Sequence, residues 1–302
     1  FRLADSTGPD IGPHAGAGVR QRGPMSIFLI ALVAAALRVA TPILLAALGE
    51  MLIERAGILN LGIEGTMLLA AFTGFVAAHQ SGSLWLGLAA AVATGVLLSL
   101  LMGLLTVTLG LNQHVSGLGI TLLGSGLALY FFRLLYGGGS TPPSLEQAFG
   151  QWRVLPESPL GPLFSQYGLT YFALLLVPLL AWLLGRTTLG LRLHSVGENP
   201  EAVDVAGVNV YRVRYLALAM GGALIGLGGA FLTLAQLGAF THGVVSGRGW
   251  VAIAIVIFGN WRPVRVLLGA LLFGFVQALQ LRLQAEGVPV PYELLLALPY
   301  LV

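Results

Sequence analysis

The sequence predicts an all-α, polytopic transmembrane helical bundle. Hydrophobic side chains make up 57% of the 302 residues and charged ones only 9%, with a mean hydropathy of +0.89. An ordinary soluble domain is about 25% charged. The apolar residues fall into runs of roughly 20, the length at which a helix crosses a hydrocarbon core of about 30 Å. The runs are continuously apolar rather than alternating, which excludes a transmembrane barrel. A soluble enzyme, a nucleic-acid binder and a disordered tail are set aside on the same grounds.

Residues 1–24 are rich in Gly and Pro, lack an apolar stretch and precede Met25. They are read as a leader outside the fold, with 25–302 as the transmembrane domain. The first span runs from Ser26 to Leu48 and contains Arg38. The second, Gly57 to His79, holds Asn60 and Glu64. Leu84 to Leu109, Gly117 to Tyr136, Gly168 to Gly185 and Tyr215 to Gln236 are the third to sixth, and Val264 to Leu283 is the seventh. Glu293 to Val302 starts another and reads as truncated, so about eight or more spans are expected. Gly249 to Gly259 is apolar but too short to cross alone. It reads as a discontinuous helix flanked by Gly, of the kind that lines transport pathways, or as a re-entrant packing element.

All 15 basic residues are Arg, and the formal net charge is +3. Their placement in short loops fits orientation in a membrane rather than nucleic-acid binding. Arg192, Arg212 and Arg214 lie between the fifth and sixth spans, just after Arg186, whereas the Pro/Gly-rich stretch 137–167 has only Arg153. The positive-inside rule puts the first loop in the cytoplasm and the second outside. The chain has no Cys, which removes disulfide scaffolds, thiolate metal sites and cysteine nucleophiles.

Three stretches can carry function. In EMLIERAGILNLGIEG, from Glu50, Asn60 and Glu64 share a helical face. A carboxylate at membrane depth marks a functional candidate; alternatively Glu64 holds helix ends or a neighbouring helix together, and a pair with Arg38 stays open. In LNQHVSG, Asn112 and Gln113 are candidates to face a polar solute, or Asn112 and Ser116 cap a cytoplasmic turn. His114 has no partner for a metal, and no metal site is expected. In LRLHSVGENPEAVDVAGVNVYRVR, Asn199 reads as an N-cap, with Pro200 at the first helical position and Glu201 in the first turn. A short helix to about Ala206, ended by Gly207, follows. A capped helix on a cytoplasmic loop suits docking in a groove of a soluble partner. No GxxxxGK[ST], HExxH or GxSxG occurs, so no enzymatic activity is expected of this chain.

Taken together, ERAGILNLGIEGTMLLAAF, LGLNQHVSGLGITLL, GLRLHSVGENPEAVDVAGVNVYRVRY and GRGWVAIAIVIFGNWRP resemble the permease subunits of bacterial ABC importers for nucleosides and simple sugars, the class that includes branched-chain amino acid and ribose permeases. The resemblance covers Ser26 to Val302. It implies ATP-binding cassette subunits on the cytoplasmic face, where ATP and Mg would reside, no cofactor on this chain, a second related permease in a heterodimer, and an extracytoplasmic substrate-binding lipoprotein. It implies a multi-pass protein of the bacterial cell membrane. The coupling helix matches Gly197, Glu198, Asn199, Pro200, Glu201, Ala202, Ala206 and Gly207. The absence of a charged cluster in the spans fits a neutral polar solute, with Asn60, Glu64, Asn112 and Gln113 on the pathway. Rival readings are a branched-chain amino acid permease of the same class and a proton-coupled secondary transporter working through Glu64.

Overall fold

The computed structural model describes residues 24–137, 143–154, 158 and 160–286. Apart from Pro24, the expected leader lies outside them, as does the terminal run from Glu293. The described chain is a helical bundle. Helix α1 spans Pro24–Arg55, α2 Ile63–Ser81, and α3 Leu84–Gly103, which continues as a π-helical turn over Leu104–Thr108. Helix α4 spans Gln113–Tyr136. A two-stranded antiparallel ribbon, β1 (Gln151–Arg153) with β2 (Ser165–Tyr167), encloses the single turn α5 (Gly161–Phe164). Next come α6 (Gly168–Arg186), α7 (Thr188–Glu198) and α8 (Pro200–Val205). Helix α9 spans Val210–Ala230 and ends in a π-helical stretch, Phe231–Leu237. The short α10 (Arg248–Phe258) and then α11 (Pro263–Ala285) complete the described bundle.

Six of these helices are long and apolar enough to cross a membrane: 28–55, 84–108, 113–136, 168–186, 210–237 and 263–285. They match six of the seven full spans read from the sequence. The expected count of about eight is not reached among the described residues, for two reasons. The last run lies outside them, and α2 starts at Ile63 instead of Gly57, with Glu64, His79 and Gln80 diluting its apolar content. The first helix also runs on past Leu48 to Arg55, carrying Glu50 and Glu54 inside it.

Helix α9 is the central element, packed along α1, α2 and α3. Its glycines permit backbone-to-backbone approach. A Cβ on Gly221 would lie 2.5 Å from the Gly49 carbonyl of α1, one on Gly222 2.5 Å from that of Gly95, and one on Gly226 2.5 Å from that of Ala91. Gly229 meets Met67 and Ala71 of α2 in the same way. Small residues at helix contacts suit a lipid environment, where dispersion between close backbones replaces the hydrophobic drive. Arg55 contacts the Trp261 carbonyl and His194, Arg214 contacts the Ala56 carbonyl, and Arg55, Gly185, Arg262 and Arg265 line one cavity, so Arg55, Arg186, Arg192, Arg212, Arg214, Arg262 and Arg265 gather at one end of the bundle. The ribbon lies at the other end, where the buried Gln166 donates through Nε2 to the Ala34 carbonyl of α1 at 3.3 Å.

Candidate functional site

The functional candidates converge on the Arg-rich end and on a segment that folds back into the bundle from it. After Arg55 the chain turns at Gly57, whose φ of +79° suits glycine, and re-enters. The Asn60 amide donates to Glu50 Oε1 at 2.8 Å, and the Gly62 amide to Asn60 Oδ1 at 2.9 Å. The loop climbs beside α4. Gln113 Oε1 accepts from the Leu59 amide at 2.8 Å, and Thr121 Oγ1 donates to the Leu61 carbonyl at 2.9 Å. Gln113 and Thr121 are eight residues apart, about 12 Å along a helix. Helix α2 therefore begins well inside the bundle.

Glu64, in the first turn of α2, accepts from the amides of Gly247 (Oε1, 2.7 Å) and Gly249 (Oε2, 2.8 Å) at the start of α10. A Cβ on Gly249 would lie 2.6 Å from the Glu64 nitrogen, so only glycine lets the two chains approach this closely. Two helix N-termini thus meet inside the bundle around one carboxylate, which satisfies free N–H groups and the positive ends of the helices together. No ion pair joins Glu64 to Arg38 among the described residues.

At the other end of α10, Asn260 and Trp261 both adopt positive φ, +50° and +51°. The Trp261 indole N–H donates to Glu54 Oε2, and its carbonyl accepts from Arg55 Nε at 3.3 Å and Nη2 at 2.9 Å. Arg55 Nη1 also lies 3.0 Å from His194 Nδ1 on α7, and His194 Nε2 is 3.2 Å from Glu198 Oε1. Arg214 Nε donates to the Ala56 carbonyl at 3.3 Å. Gly197 abuts Arg55 and Gly57 so closely that a Cβ there would clash with backbone. The segment α7–α8 is therefore seated directly on the last turn of α1.

Helix α8 forms with the caps its sequence specifies. Asn199 Oδ1 accepts from the Ala202 amide at 3.0 Å, Pro200 and Glu201 occupy the first turn, and Gly207 takes φ +82°. Glu198, Glu201, Ala202, Asp204 and Ala206 are exposed, and Val205 is 91% exposed at the tip. A groove of about 500 Å³ runs between α7 and α8, lined by Leu191, Arg192, Ser195, Glu198 and Ala202.

The structure gathers Asn60, Glu64 and Gln113 around the re-entrant loop, each with an oxygen holding backbone. Asn112 lies apart and exposed, capping α4 through the amides of His114 (2.9 Å) and Val115 (3.3 Å). Asn60 Nδ2 is buried without an acceptor. Sequence reading missed Glu50, Glu54, Trp261 and helix α7. A signal was present: two Glu four residues apart inside the apolar run LLAALGEMLIER place both carboxylates on one helical face. Glu50 is fully buried.

A multi-pass apolar bundle, with two helices starting at depth and a capped helix at its Arg-rich end, defines a membrane permease. The chain matches the branched-chain amino acid transport system / permease component family over residues 32–302, and it belongs to that family. It is 44% identical over 266 residues to TsgC13 of Haloferax volcanii, described as a glucose ABC transporter permease, covering 85% of this chain and 79% of that protein. It is 36% identical over 261 residues to the guanosine ABC transporter permease NupQ of Bacillus subtilis, covering 83% and 82%. Identity to the nucleoside ABC transporter permease NupC of Lactococcus lactis is 36% over 250 residues, covering 79% and 78%. An inward-facing structure described as a metal-chelate type ABC transporter shares the fold at 18% identity with a TM-score of 0.50, covering 95% of this chain and 88% of that one.

Proposed function

We propose that this chain is the permease subunit of an ABC importer for a nucleoside or simple sugar. ATP and Mg would be held by partner ATP-binding cassette subunits, solute would be delivered by an extracytoplasmic binding lipoprotein, and a second related permease would complete the pathway. The observation that carries the reading is the seat of α7–α8 on the end of α1: a capped helix with an exposed apolar tip, fixed to the bundle through Gly197, is suited to receive a push from a soluble partner and pass it inward. The relatives named for guanosine, nucleoside and glucose transport support the solute class.

Transport then proceeds by alternating access, in which packed helices exchange two discrete arrangements. Gly197 to Gly207 would contact the ATPase. Asn60 would meet the solute through Nδ2, while Glu64 and Gln113 hold the backbone around it and Asn112 fixes the start of α4. The test is uptake of radiolabelled guanosine and glucose into proteoliposomes holding the assembled complex, with leucine as competitor. Expected is ATP-dependent uptake of one probe, indifferent to leucine and to a protonophore. Uptake abolished by the protonophore without need of ATP, or leucine as the preferred solute, refutes the proposal.

A further inference from the structure

The short helix α10 is held at both ends by carboxylates from a single motif. Glu64 takes the amides at its start, and Glu54 takes the indole of Trp261 just beyond its end. An 11-residue helix is a rod of about 16 Å. The turn at its far end is strained: Asn260 and Trp261 are non-glycine residues in the left-handed region. That conformation is held from outside the turn, by Glu54 on the indole and by Arg55 on the Trp261 carbonyl. Arg55 in turn touches His194 of α7, and its carbonyl abuts Gly197. A continuous chain of contacts therefore leads from the coupling segment through Arg55, Glu54 and Trp261 into α10 and on to Glu64 at the inner helix starts.

The carboxylates in this chain have room for a change of partner. Glu50 and Glu54 lie against each other one turn apart on α1, buried and joined carboxyl to carboxyl, and the neighbouring Arg55 and Arg214 are engaged with backbone carbonyls instead. A strained turn held by a few side-chain bonds, beside a carboxyl pair that the nearby arginines do not engage, has the makings of a two-position element.

We propose that Glu54, Arg55 and Trp261 are positioning residues that transmit displacement of α7–α8 to the short helix α10, so that α10 moves with the nucleotide state of the partner ATPase. This rests on the importer reading above. When the segment shifts on Arg55, the bonds to Trp261 loosen, the turn relaxes, and α10 carries the movement to Glu64 and the loop holding Asn60.

The test uses the assembled complex in proteoliposomes, with radiolabelled guanosine and glucose as probes and ATP hydrolysis measured in the same preparation. Trp261→Phe keeps the ring and removes the donor; Glu54→Leu keeps much of the volume and removes the acceptor. Each is expected to lower solute moved per ATP about tenfold, within the usual range of coupling between sites, while hydrolysis stays within about twofold of wild type. The double variant is expected to do no worse than either single one, because both remove the same contact. An unchanged ratio in the single variants, a parallel fall of uptake and hydrolysis, or strictly additive losses overturns the proposal. A second measurement does not depend on these variants. The sequence has no Cys, so Phe258→Cys places one label on α10, at a position 88% exposed. Its spectrum is expected to differ between nucleotide-free and ATP-bound complexes; an identical spectrum overturns the proposal. A wild-type complex without ATP-driven uptake sinks the importer reading and this inference together, whereas ATP-driven uptake with a motionless label sinks this inference alone.

Discussion

Replacing Glu64 with Gln tests the meeting of the two inner helix starts directly. In the native chain the carboxylate accepts two backbone amides, at 2.7 and 2.8 Å, one on each oxygen. Hydrogen bonds to a charged group contribute about 1.5–3 kcal/mol each, and a charge at a helix N-terminus adds about 0.3–1 kcal/mol. Glutamine keeps one acceptor and turns an NH2 toward the second amide. One charge-assisted bond and the dipole contribution are lost, and the other bond weakens. Glu64 is partly exposed, which lets water compensate in part, so the expected loss is about 2 kcal/mol, or roughly 30-fold in a local opening equilibrium. Hydrogen exchange followed by mass spectrometry on peptides covering the start of α10 reads this directly. Amides at Gly247 to Val251 should exchange roughly 30-fold faster, while the centre of α9 is unaffected. If exchange at the start of α10 is unchanged, Glu64 is not what holds it, and the account of this junction fails.

Three further outcomes follow from named contacts. Asn199→Ala removes the cap on α8 and should destabilise that helix by about 1 kcal/mol, raising exchange at Ala202 about fivefold, with Asn199→Asp restoring protection. Gly226→Ala drives a Cβ against the Ala91 carbonyl and should destabilise the α3–α9 contact by about 1–3 kcal/mol in SDS unfolding titrations; Gly119→Ala, which meets nothing within 4 Å, should instead gain up to about 1 kcal/mol. Gln113→Leu strands the Leu59 amide and should lower the unfolding midpoint in the same titration by about 1–3 kcal/mol, whereas Gln113→Glu, which still offers an acceptor, should lose less.

Local features of this fold are legible in the sequence, and long-range pairings are not. Six crossings could be read because a run of some 20 apolar residues has few other uses. The cap and stop of α8 could be read because Asn199, Pro200 and Gly207 act within their own turn. The start of α2 was misplaced by six residues. Ile58, Leu59 and Leu61 look as apolar as a helix, while the features that keep them out of one are the positive φ at Gly57 and bonds to Glu50 and Gln113. Glu64 could be marked as a candidate from its depth alone, but its partners lie more than 180 residues away and are backbone amides, which leave no side-chain signature. The ribbon of β1 and β2 is three residues a side, too short for an alternation to show.

The glycine surface of α9 has a mechanical consequence. Gly221 faces α1, Gly222 and Gly226 face α3, and Gly229 faces α2, so the central mast of the bundle is smooth toward three neighbours. Seams without protruding side chains hold by close backbone contact alone, so each is sensitive to a single added carbon. Because the three seams lie on different sides of one helix, a single methyl pushes one neighbour away and leaves the other two contacts in place, so each seam can be loosened by itself.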